Sequence, residues 1–247
     1  MHHKVKGIVI REKAQGESSK LLTVITELDG VITVKAKGAR SISASNLKSV
    51  QLFAFSNMLL YYKNGFYTLV DAELIEDFYG VREKIESFAL ASYCCEVAGS
   101  VATKDSENGK NLQLLLNTLY VLTKDIIRIK QVKAVFEFRL AVILGFEPDI
   151  AGCDSCGNQL TALPKFLDAE NGVFLCGLCA VESPQLMPVS QSCYDALKYI
   201  ISAKSNKIFS FSLSDNALDE LNGITEMYLH IRLEKKYKTL DFLKQLL

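Results

Sequence analysis

The first 80 residues carry the alternating hydrophobic and polar pattern that is typical of β-strands. The clearest case is 31–36, where Ile32, Val34 and Ala36 fall on one face and the residues between them on the other. Asp29-Gly30 and Asn64-Gly65 are turn signals of the kind that join antiparallel strands. The pattern predicts five strands, which lie at residues 4–11, 21–27, 31–36, 51–62 and 66–74.

Five short strands in succession indicate a small barrel whose core is filled by side chains. The OB-fold has this number of strands. A five-stranded SH3-like barrel fits the same pattern nearly as well, so the pattern by itself leaves the strand order open. We take an OB-fold barrel as the prediction for residues 1–78.

The pattern changes after Gly80, where apolar residues recur at helical spacing. Helices are predicted at 81–102, 111–127, 130–144, 193–203 and 217–233, and a basic tail at 235–247. The predicted fold class is therefore α+β, in which a five-stranded OB-fold β barrel is followed by an α-helical domain. That domain spans residues 79–247 and contains a Cys-rich insert at 150–188.

Four of the seven cysteines form the sharpest local motif in the chain. They follow the pattern C-x2-C-x19-C-x2-C and are Cys153, Cys156, Cys176 and Cys179. Two residues between thiolates let both sulfur atoms of a tight turn reach one ion, and two such turns complete a tetrahedron. Gly157 and Gly177 allow the backbone conformations that such turns need. Because four thiolates close the coordination shell, the motif predicts one structural zinc ion per chain and no catalytic zinc.

The alternative interpretation is that the four thiols are free or redox-active. Two C-x-x-C pairs at this spacing favour zinc over this alternative. The other cysteines, Cys94, Cys95 and Cys193, have apolar neighbours in helical segments and are interpreted as small buried side chains. The start of the chain lacks a signal-peptide pattern, and no apolar run is long enough for a transmembrane helix. We therefore expect a cytoplasmic protein whose cysteines are thiols or metal ligands rather than disulfides.

The charges of the chain are unevenly distributed. The formal net charge is zero, with 28 basic and 28 acidic residues, which at first argues against nucleic-acid binding. Residues 1–48, however, contain nine basic and four acidic residues, so the predicted barrel is positive and the rest of the chain negative. The barrel is thus a candidate for binding phosphates.

Cations concentrate around the third predicted strand and the loop after it, namely Lys35, Lys37 and Arg40, and then Lys48. Aromatic residues that could stack on bases follow, and these are Phe53, Phe55, Tyr61, Tyr62, Phe66 and Tyr67. OB-folds hold single strands with cationic grooves and stacking aromatics. About half of these rings must fill the barrel core, since alternate strand residues face inward. On charge alone, a solvated barrel face explains the cations equally well.

The sequence contains no catalytic constellation. It lacks the glycine-rich fingerprints of nucleotide and dinucleotide sites. His230 is the one plausible candidate for a histidine-based triad, and no nucleophile motif accompanies it. We therefore expect a protein that is not an enzyme and has no small-molecule substrate.

Several segments resemble the bacterial recombination mediator family RecO. They are residues 7–10, 16–22, 26–30, 36–40, 136–140, 144–148, 153–157 and 232–240. The likeness covers nearly the whole chain, and the order of the segments is specific. The four cysteines are its sharpest element, although some members of the family lack them.

The resemblance implies a role in DNA repair and homologous recombination that requires no catalysis. Such a protein binds single- and double-stranded DNA through its OB-fold and anneals complementary strands. With its partner RecR it helps the RecA recombinase replace single-strand binding protein (SSB) on DNA, and its helical domain docks the acidic, Phe-ended tail of SSB. The resemblance also implies a cytoplasmic protein that associates with the nucleoid during repair.

Carried onto this sequence, the resemblance assigns DNA-backbone contacts to Lys35, Lys37 and Arg40. The outer contacts are Lys4, Lys6, Arg11 and Lys48. An SSB tail needs an apolar pocket with flanking cations. The candidate residues lie on the predicted helix 130–144 and are Lys130, Lys133, Phe136 and Arg139. A buried helix whose cations extend towards its ends fits these residues equally well.

The sequence leaves two other functions open. One is a zinc-ribbon adaptor that acts mainly through protein contacts, with the basic patch incidental. The other is a thiol–disulfide enzyme that uses the C-x-x-C pairs. DNA binding at low salt separates the adaptor from the mediator, and metal analysis separates the enzyme from both.

Overall fold

A computed structural model describes residues 1–38, 44–103, 108–160, 164–180 and 186–247, and of residues 44–46 it describes the backbone alone. Contacts divide the chain into two compact units. The first unit comprises residues 1–124 and 239–246, and the second comprises residues 125–238 with residue 247.

Five strands of the first unit form a closed barrel. They are β1 (His2–Gln15), β2 (Ser19–Thr26), β3 (Val31–Ala36), β4 (Phe55–Lys63) and β5 (Phe66–Glu76). The order around the barrel is β1-β2-β3-β5-β4, with β1 pairing back to β4 and β3 lying parallel to β5. A short helix, α1 (Ala44–Ser49), lies between β3 and β4 in the chain. The predicted OB-fold barrel is confirmed.

Strand alternation builds the barrel core. Ile32, Val34 and Ala36 point inward and are buried, whereas Thr33 is exposed and Lys35 is half-buried. The inward side chains pack against other buried aliphatic residues, which include Leu22, Val24, Met58 and Leu60. Removing these side chains from water is the main favourable contribution to barrel stability.

The first strand is longer than its hydrophobic pattern predicts because it pairs with two neighbours. Residues 2–8 pair with β4 and residues 7–15 pair with β2. The register shifts between Val9 and Arg11, and such a bulge bends a strand. The polar residues 12–15 therefore belong to β1, although they carry no strand pattern of their own.

The segment 51–54, predicted as the start of a strand, is instead a turn. Phe53 has a backbone φ of 68°, and its N–H donates to the Val9 carbonyl at 2.7 Å. The Phe53 ring is fully buried and meets the Phe88 ring edge-on, with 5.5 Å between centroids. Burial of this ring holds the backbone in a left-handed conformation, and β4 begins only at Phe55.

The rest of the described chain is mainly helical. After a 3-10 turn at Tyr79–Arg82, the helices are α2 (Ile85–Val101), α3 (Gly109–Lys124), α4 (Ile129–Ile143), α5 (Gln191–Ser202), α6 (Asp215–Leu233) and α7 (Lys238–Lys244). The five predicted helices are confirmed with shifted ends, and the basic tail contains α7. Within the described ranges, no helix has the length and apolar character needed to cross a membrane.

The first unit includes more than the barrel. Gly80 lies against α3, where a Cβ would come within 2.9 Å of the Thr123 carbonyl oxygen. On α7, the Thr239 N–H donates to the Glu96 carboxylate of α2 at 3.3 Å, and Leu243 is fully buried. The last barrel strand ends at Glu76, and this unit continues beyond the boundary that we predict at residue 78.

The second unit combines helices with a small antiparallel sheet. The strands of this sheet are β6 (Lys165–Asp168), β7 (Val173–Cys176) and β8 (Leu186–Val189), in the order β7-β6-β8. They fall in and just after the predicted insert. Helix α4 is buried along most of its length and packs against α6, where the Phe138 and Tyr228 rings lie 5.9 Å apart.

Candidate metal centre and candidate nucleic-acid interface

Four cysteine side chains meet beside the small sheet of the second unit. Cys176 ends β7, Cys179 follows in the next turn, and Cys153 and Cys156 lie on a turn after α4. Their Sγ atoms all lie within 4.8 Å of one another, and those of Cys156 and Cys176 are 3.9 Å apart. The sulfur atoms of a tetrahedral zinc–thiolate site are about 3.8 Å apart, given Zn–S bonds of about 2.3 Å. The cluster therefore fits a metal ion with a small adjustment.

Glycines shape both cysteine turns, for different reasons. The Gly157 N–H donates to the Cys153 carbonyl at 2.8 Å, and the φ of Gly157 is 72°, a conformation that favours glycine. Gly177 is required by a close contact, because a Cβ at this position would lie 2.4 Å from the Cγ of Pro164. We predict that both glycines are needed for their backbone conformation. The structure shows this for Gly157, whereas Gly177 is needed because a side chain would collide with Pro164.

The cysteine turns also affect the ionisation of the thiols. The Cys176 N–H donates to the Cys153 Sγ at 3.3 Å and lowers the pKa of Cys153 to about 6, while burial acts in the opposite direction. Hydrogen bonds with the Cys156 and Cys176 thiols raise the pKa of Cys179 to about 12. Thiolates are the form that binds metal, so a cation would replace the protons that the cluster holds. These four cysteines could hold one metal ion.

The barrel carries an open groove of about 720 Å³ on the outer face of β2, β3 and β5. The turn between β4 and β5, at Asn64-Gly65, borders it. We call it the barrel groove, and its lining includes Leu21, Thr33, Lys35, Tyr62, Phe66 and Tyr67. In OB-folds, the face of strands 2 and 3 and the loops beside it bind oligonucleotides. The barrel groove thus lies where an OB-fold binds a nucleic acid.

Strand register brings cations from different parts of the sequence to this face. Lys13 on β1 is opposite Leu21 on β2, which is opposite Lys35 on β3. Opposite residues on neighbouring strands project from the same side of a sheet. Lys13 and Lys35 therefore flank Leu21 on the outer surface. On the same surface, Arg11 and Thr33 flank the next outward-facing residue of β2.

The predicted DNA contacts around the third strand are only partly described. Lys35 lines the barrel groove, and Lys37 is exposed just beyond the end of β3. Lys48 is exposed on α1. Arg40 lies outside the residues that the structure describes.

Lys4 and Lys6 lie on a different part of the barrel. They line a separate depression of about 530 Å³ on β1, β4 and β5, which also contains Asp71 and Glu73. The Lys6 Nζ lies 5.3 Å from the centroid of the Phe55 ring. Carboxylates oppose a phosphate, so the structure does not gather these two lysines with Lys35 into one cationic surface.

Lys13 is a cation beside the barrel groove that the sequence prediction did not assign. Within the described part of the chain, Lys13 makes no ion pair, whereas the neighbouring Lys20 binds Glu12 at 2.9 Å. The position of Lys13 depends on the second half of β1, whose polarity hides its strand character. Knowledge of the β1–β2 register was needed to find it.

Two of the residues predicted to bind the SSB tail lie in the interior of the second unit. Phe136 is fully buried on α4. The Lys133 Nζ lies 2.9 Å from both the Glu137 and the Glu226 carboxylates. Burial by itself lowers the pKa of Lys133, but the two carboxylates outweigh it and the pKa is raised. Lys133 is therefore a charged residue of the helix–helix interface.

The other two residues of this set are also engaged within the unit. The Lys130 Nζ lies 2.6 Å from the Asp219 carboxylate of α6. The Arg139 Nη1 donates to the carbonyls of Ile200 and Ile201, at 2.8 Å and 2.6 Å, near the end of α5. All four predicted residues lie on α4, where Phe136 is buried and the three cations contact carboxylates or carbonyls of the same unit.

Comparison with known proteins supports the resemblance. The family model "Recombination protein O N terminal" matches residues 1–78, and "Recombination protein O C terminal" matches residues 82–241. The DNA repair protein RecO of Acetivibrio thermocellus is 33% identical over 243 residues, covering 98% of this chain and 96% of that protein. The DNA repair protein RecO of Alkaliphilus metalliredigens is 26% identical over 244 residues, covering 98% and 99%. The chain therefore belongs to the RecO family of DNA repair and recombination proteins.

Proposed function

We propose that this protein is a non-catalytic mediator of homologous recombination that binds single- and double-stranded DNA through its barrel. It anneals complementary strands and, with RecR, helps load the RecA recombinase onto DNA coated with SSB. The single observation that carries the DNA-binding part is the barrel groove, which combines Lys35 with exposed aromatic rings on the ligand-binding face of an OB-fold. Membership of the RecO family supports the wider role.

The proposed DNA-backbone contacts centre on Lys35, Lys37 and Arg40. Lys35 supports this assignment by its position in the barrel groove, and Lys37 is exposed just beyond the end of β3. The proposed outer contacts are Lys4, Lys6, Arg11 and Lys48, and to these we add Lys13. Arg11 and Lys13 have the stronger support, because strand register places them on the outer face that carries the groove.

RecR and the SSB tail are proposed as protein partners on the basis of the family. The proposed tail site is Lys130, Lys133, Phe136 and Arg139, and it requires α4 to open, because Phe136 is buried in the described structure. A Lys130→Ala variant tests it, since the Lys130 side chain is 40% exposed whereas that of Lys133 is 3% exposed. Weaker binding of an acidic peptide ending in Phe would support the site. Unchanged binding would place the tail elsewhere.

We propose that the four-cysteine cluster holds one structural zinc ion. The close approach of four thiols and the completeness of the set support a closed coordination shell. Metal analysis of the purified protein should give about one zinc per chain. Thiols that react before a chelator is added would argue for redox chemistry instead. Because a closed coordination shell leaves no position for a substrate, we propose that the protein acts by binding alone. From its family we also propose that it is cytoplasmic and associates with the nucleoid during repair.

The DNA-binding proposal is tested by a triple variant, Lys35→Ala with Lys37→Ala and Arg40→Ala. Affinity for a labelled single strand should fall, and the slope of log affinity against log salt should decrease by about two, because roughly 0.7 counterions are released per phosphate contact. The matched control replaces three exposed lysines of the second unit by alanine, namely Lys198, Lys204 and Lys207. The control makes the same change in net charge and should leave the slope unchanged.

The outcome of this experiment also separates the mediator from the adaptor. Equal affinity and equal salt slope in the wild type and the triple variant would remove the assigned DNA site. Absence of any DNA binding at low salt, together with capture of RecR or SSB, would favour a zinc-containing adaptor.

A further inference from the structure

The outer wall formed by β1, β4 and β5 carries two stripes of opposite charge. Val5, Met58 and Ala72 belong to the barrel core, so the residues on either side of each of them point outward. Two of these outward positions on β1 are lysines, and two on β5 are carboxylates. All four side chains are exposed and line the depression of about 530 Å³, and they are Lys4, Lys6, Asp71 and Glu73.

Strand register joins the two stripes in rows that cross β4. In each row a lysine of β1 is opposite a neutral residue of β4, which is opposite a carboxylate of β5. The rows contain Lys4, Leu59 and Asp71 in one case and Lys6, Asn57 and Glu73 in the other. Neighbouring strands lie about 4.8 Å apart, so the two stripes run at equal distances on the two sides of β4. The wall is therefore symmetric about β4 in position and opposite in charge.

Apolar side chains lie between and beside the stripes. Tyr61 is the next outward residue of β4 after Leu59, is 39% exposed, and has its ring 5.4 Å from that of His2 on β1. Val70 falls at a register shift of β5 and is 51% exposed. A partly apolar surface with a charged rim is typical of a protein interface. A nucleic acid or an acidic peptide would need cations alone, so a partner for this wall has to carry both charges.

A second copy of this chain carries both charges at matching positions. If two copies pack with a two-fold axis along β4, Lys4 of one copy faces Asp71 of the other. By the same rotation Lys6 faces Glu73, and each contact occurs twice. If the axis runs across the strands instead, each stripe meets its own like charges. We propose that this wall is a self-association surface that joins two copies of the chain in the first orientation.

Association through this wall is expected to be weak. Exposed ion pairs contribute little each and are screened by salt, and the curvature of a barrel limits the contact area. Sheets packed face to face are about 10 Å apart, a gap that a lysine and a carboxylate side chain bridge together. The pair should therefore form at high protein concentration and low salt. Because Lys4 and Lys6 are covered in the pair, their proposed contact with DNA belongs to the single chain.

Sedimentation velocity of the full chain without DNA tests the surface. At low salt, the sedimentation coefficient should rise with protein concentration towards that of a dimer. In about 1 M salt, where the Debye length is about 3 Å, it should stay that of a single chain. A single chain at every concentration in low salt, or a dimer that persists in high salt, would overturn the proposal. Because no DNA is present, either result would leave the proposed DNA-binding function untouched.

Charge reversal of either stripe identifies the wall. The acidic variant combines Lys4→Glu with Lys6→Glu, and the basic variant combines Asp71→Lys with Glu73→Lys. Each variant alone should self-associate more than about 100-fold more weakly than the wild type, because like charges then face each other. An equal mixture of the two should associate, since a stripe of carboxylates then faces a stripe of lysines on both sides of β4. The four side chains are exposed, so these changes leave the barrel core intact.

The matched control makes the same change in net charge on the second unit, where Lys204 and Lys207 are exposed. The Lys204→Glu, Lys207→Glu protein should self-associate like the wild type. It should also bind the basic variant more weakly than the acidic variant does, which separates the wall from attraction by net charge. A chain with all four stripe substitutions should regain self-association, because its stripes are exchanged. Equal self-association of the acidic variant and the wild type, or a mixture of the acidic and basic variants that stays separate, would overturn the proposal.

Discussion

The barrel groove and helix α4 combine the same residue types, cations beside aromatic rings, and the structure uses them in opposite ways. On the barrel, Lys35 lines an open groove and Phe66 is exposed beside it. On α4, Lys133 is buried between two carboxylates and Phe136 is fully buried. Residue type alone does not separate an open groove from a helix interface.

The difference follows from how each element meets its neighbours. In the barrel wall, alternate residues face outward, so the side chain of Lys35 leaves the core by strand geometry. Helix α4 contacts both α5 and α6, which enclose it on more than one side. The cations of α4 bind carboxylates or carbonyls of these two helices. Changes in the barrel should therefore affect DNA binding, and changes in the second unit should affect stability.

The largest expected effect is that of Cys176→Ala. The binding free energy of a structural zinc ion is folding free energy, on the order of 10 kcal/mol in small zinc-finger peptides, so loss of a ligand should unfold the insert locally. Hydrogen exchange and limited proteolysis should show loss of protection in β6 and β7, with DNA affinity of the barrel retained. Cys193→Ala, which removes a buried thiol outside the cluster, is the control and should leave these strands protected.

A well-folded Cys176→Ala protein that has selectively lost DNA binding would break this separation between the two regions. It would show that the metal site acts on DNA directly and not through stability alone.

The next largest effect is expected for Glu137→Ala. Glu137 is fully buried and accepts from both Lys133 and Thr225, so its loss leaves the Lys133 ammonium with only the Glu226 carboxylate. Breaking a buried pair costs about 3–5 kcal/mol. Urea unfolding followed by circular dichroism measures this. A loss below about 1 kcal/mol would show that the pair behaves as a surface ion pair.

The pH dependence of the same pair has a defined sign. The pKa of Lys133 is raised in the folded protein, so its contribution to stability is complete below the unfolded value of about 10.4. The contribution is lost only as the pH rises through the raised folded value. The stability difference between wild type and Glu137→Ala should therefore stay constant from neutral pH to about pH 9.

A smaller effect is expected for Lys13→Ala in the barrel. It should reduce the salt slope for single-stranded DNA by about 0.7 and change the free energy of unfolding by less than about 0.5 kcal/mol. Lys20→Ala is the matched comparison, because the Lys20 ammonium is already paired with Glu12. Equal slopes in the two variants would show that pairing does not decide which barrel cations contact DNA.

The smallest effect is expected for the stability of Lys130→Ala. Lys130 and Asp219 form a partly exposed ion pair, and such pairs contribute about 0–1 kcal/mol. Thermal unfolding of Lys130→Ala and Glu137→Ala, measured side by side, would show the contrast between a partly exposed pair and a buried pair that both include a cation of α4. A destabilisation as large as that of Glu137→Ala would mean that the Lys130 pair is as desolvated as the buried one.

Several elements of the fold were predictable because their signals are local. The alternation in 31–36 predicts which residues of β3 face the core, and the Asn64-Gly65 turn predicts the β4–β5 hairpin. The two C-x-x-C pairs predict the cluster of four thiols. Each of these depends on residues that are close in sequence or on a spacing that coordination chemistry restricts.

Other elements were not predictable from local pattern. Residues 12–15 are polar yet extend β1, because barrel closure gives this strand a second partner. Phe53 falls within a predicted strand, but its ring is buried against Phe88 and its backbone has a left-handed conformation. In both cases a distant partner outweighs the local preference.

By itself the sequence determined the number of barrel strands, the helices after them, the four metal-binding candidates and the family. Only the tertiary structure decided which charges are available. It placed Lys13 beside Lys35 through the β1–β2–β3 register, placed Lys4 and Lys6 in a separate depression, and buried Lys133 against α6. The physical reason is that periodicity is a property of neighbouring residues, whereas register and burial depend on contacts between residues far apart in the chain.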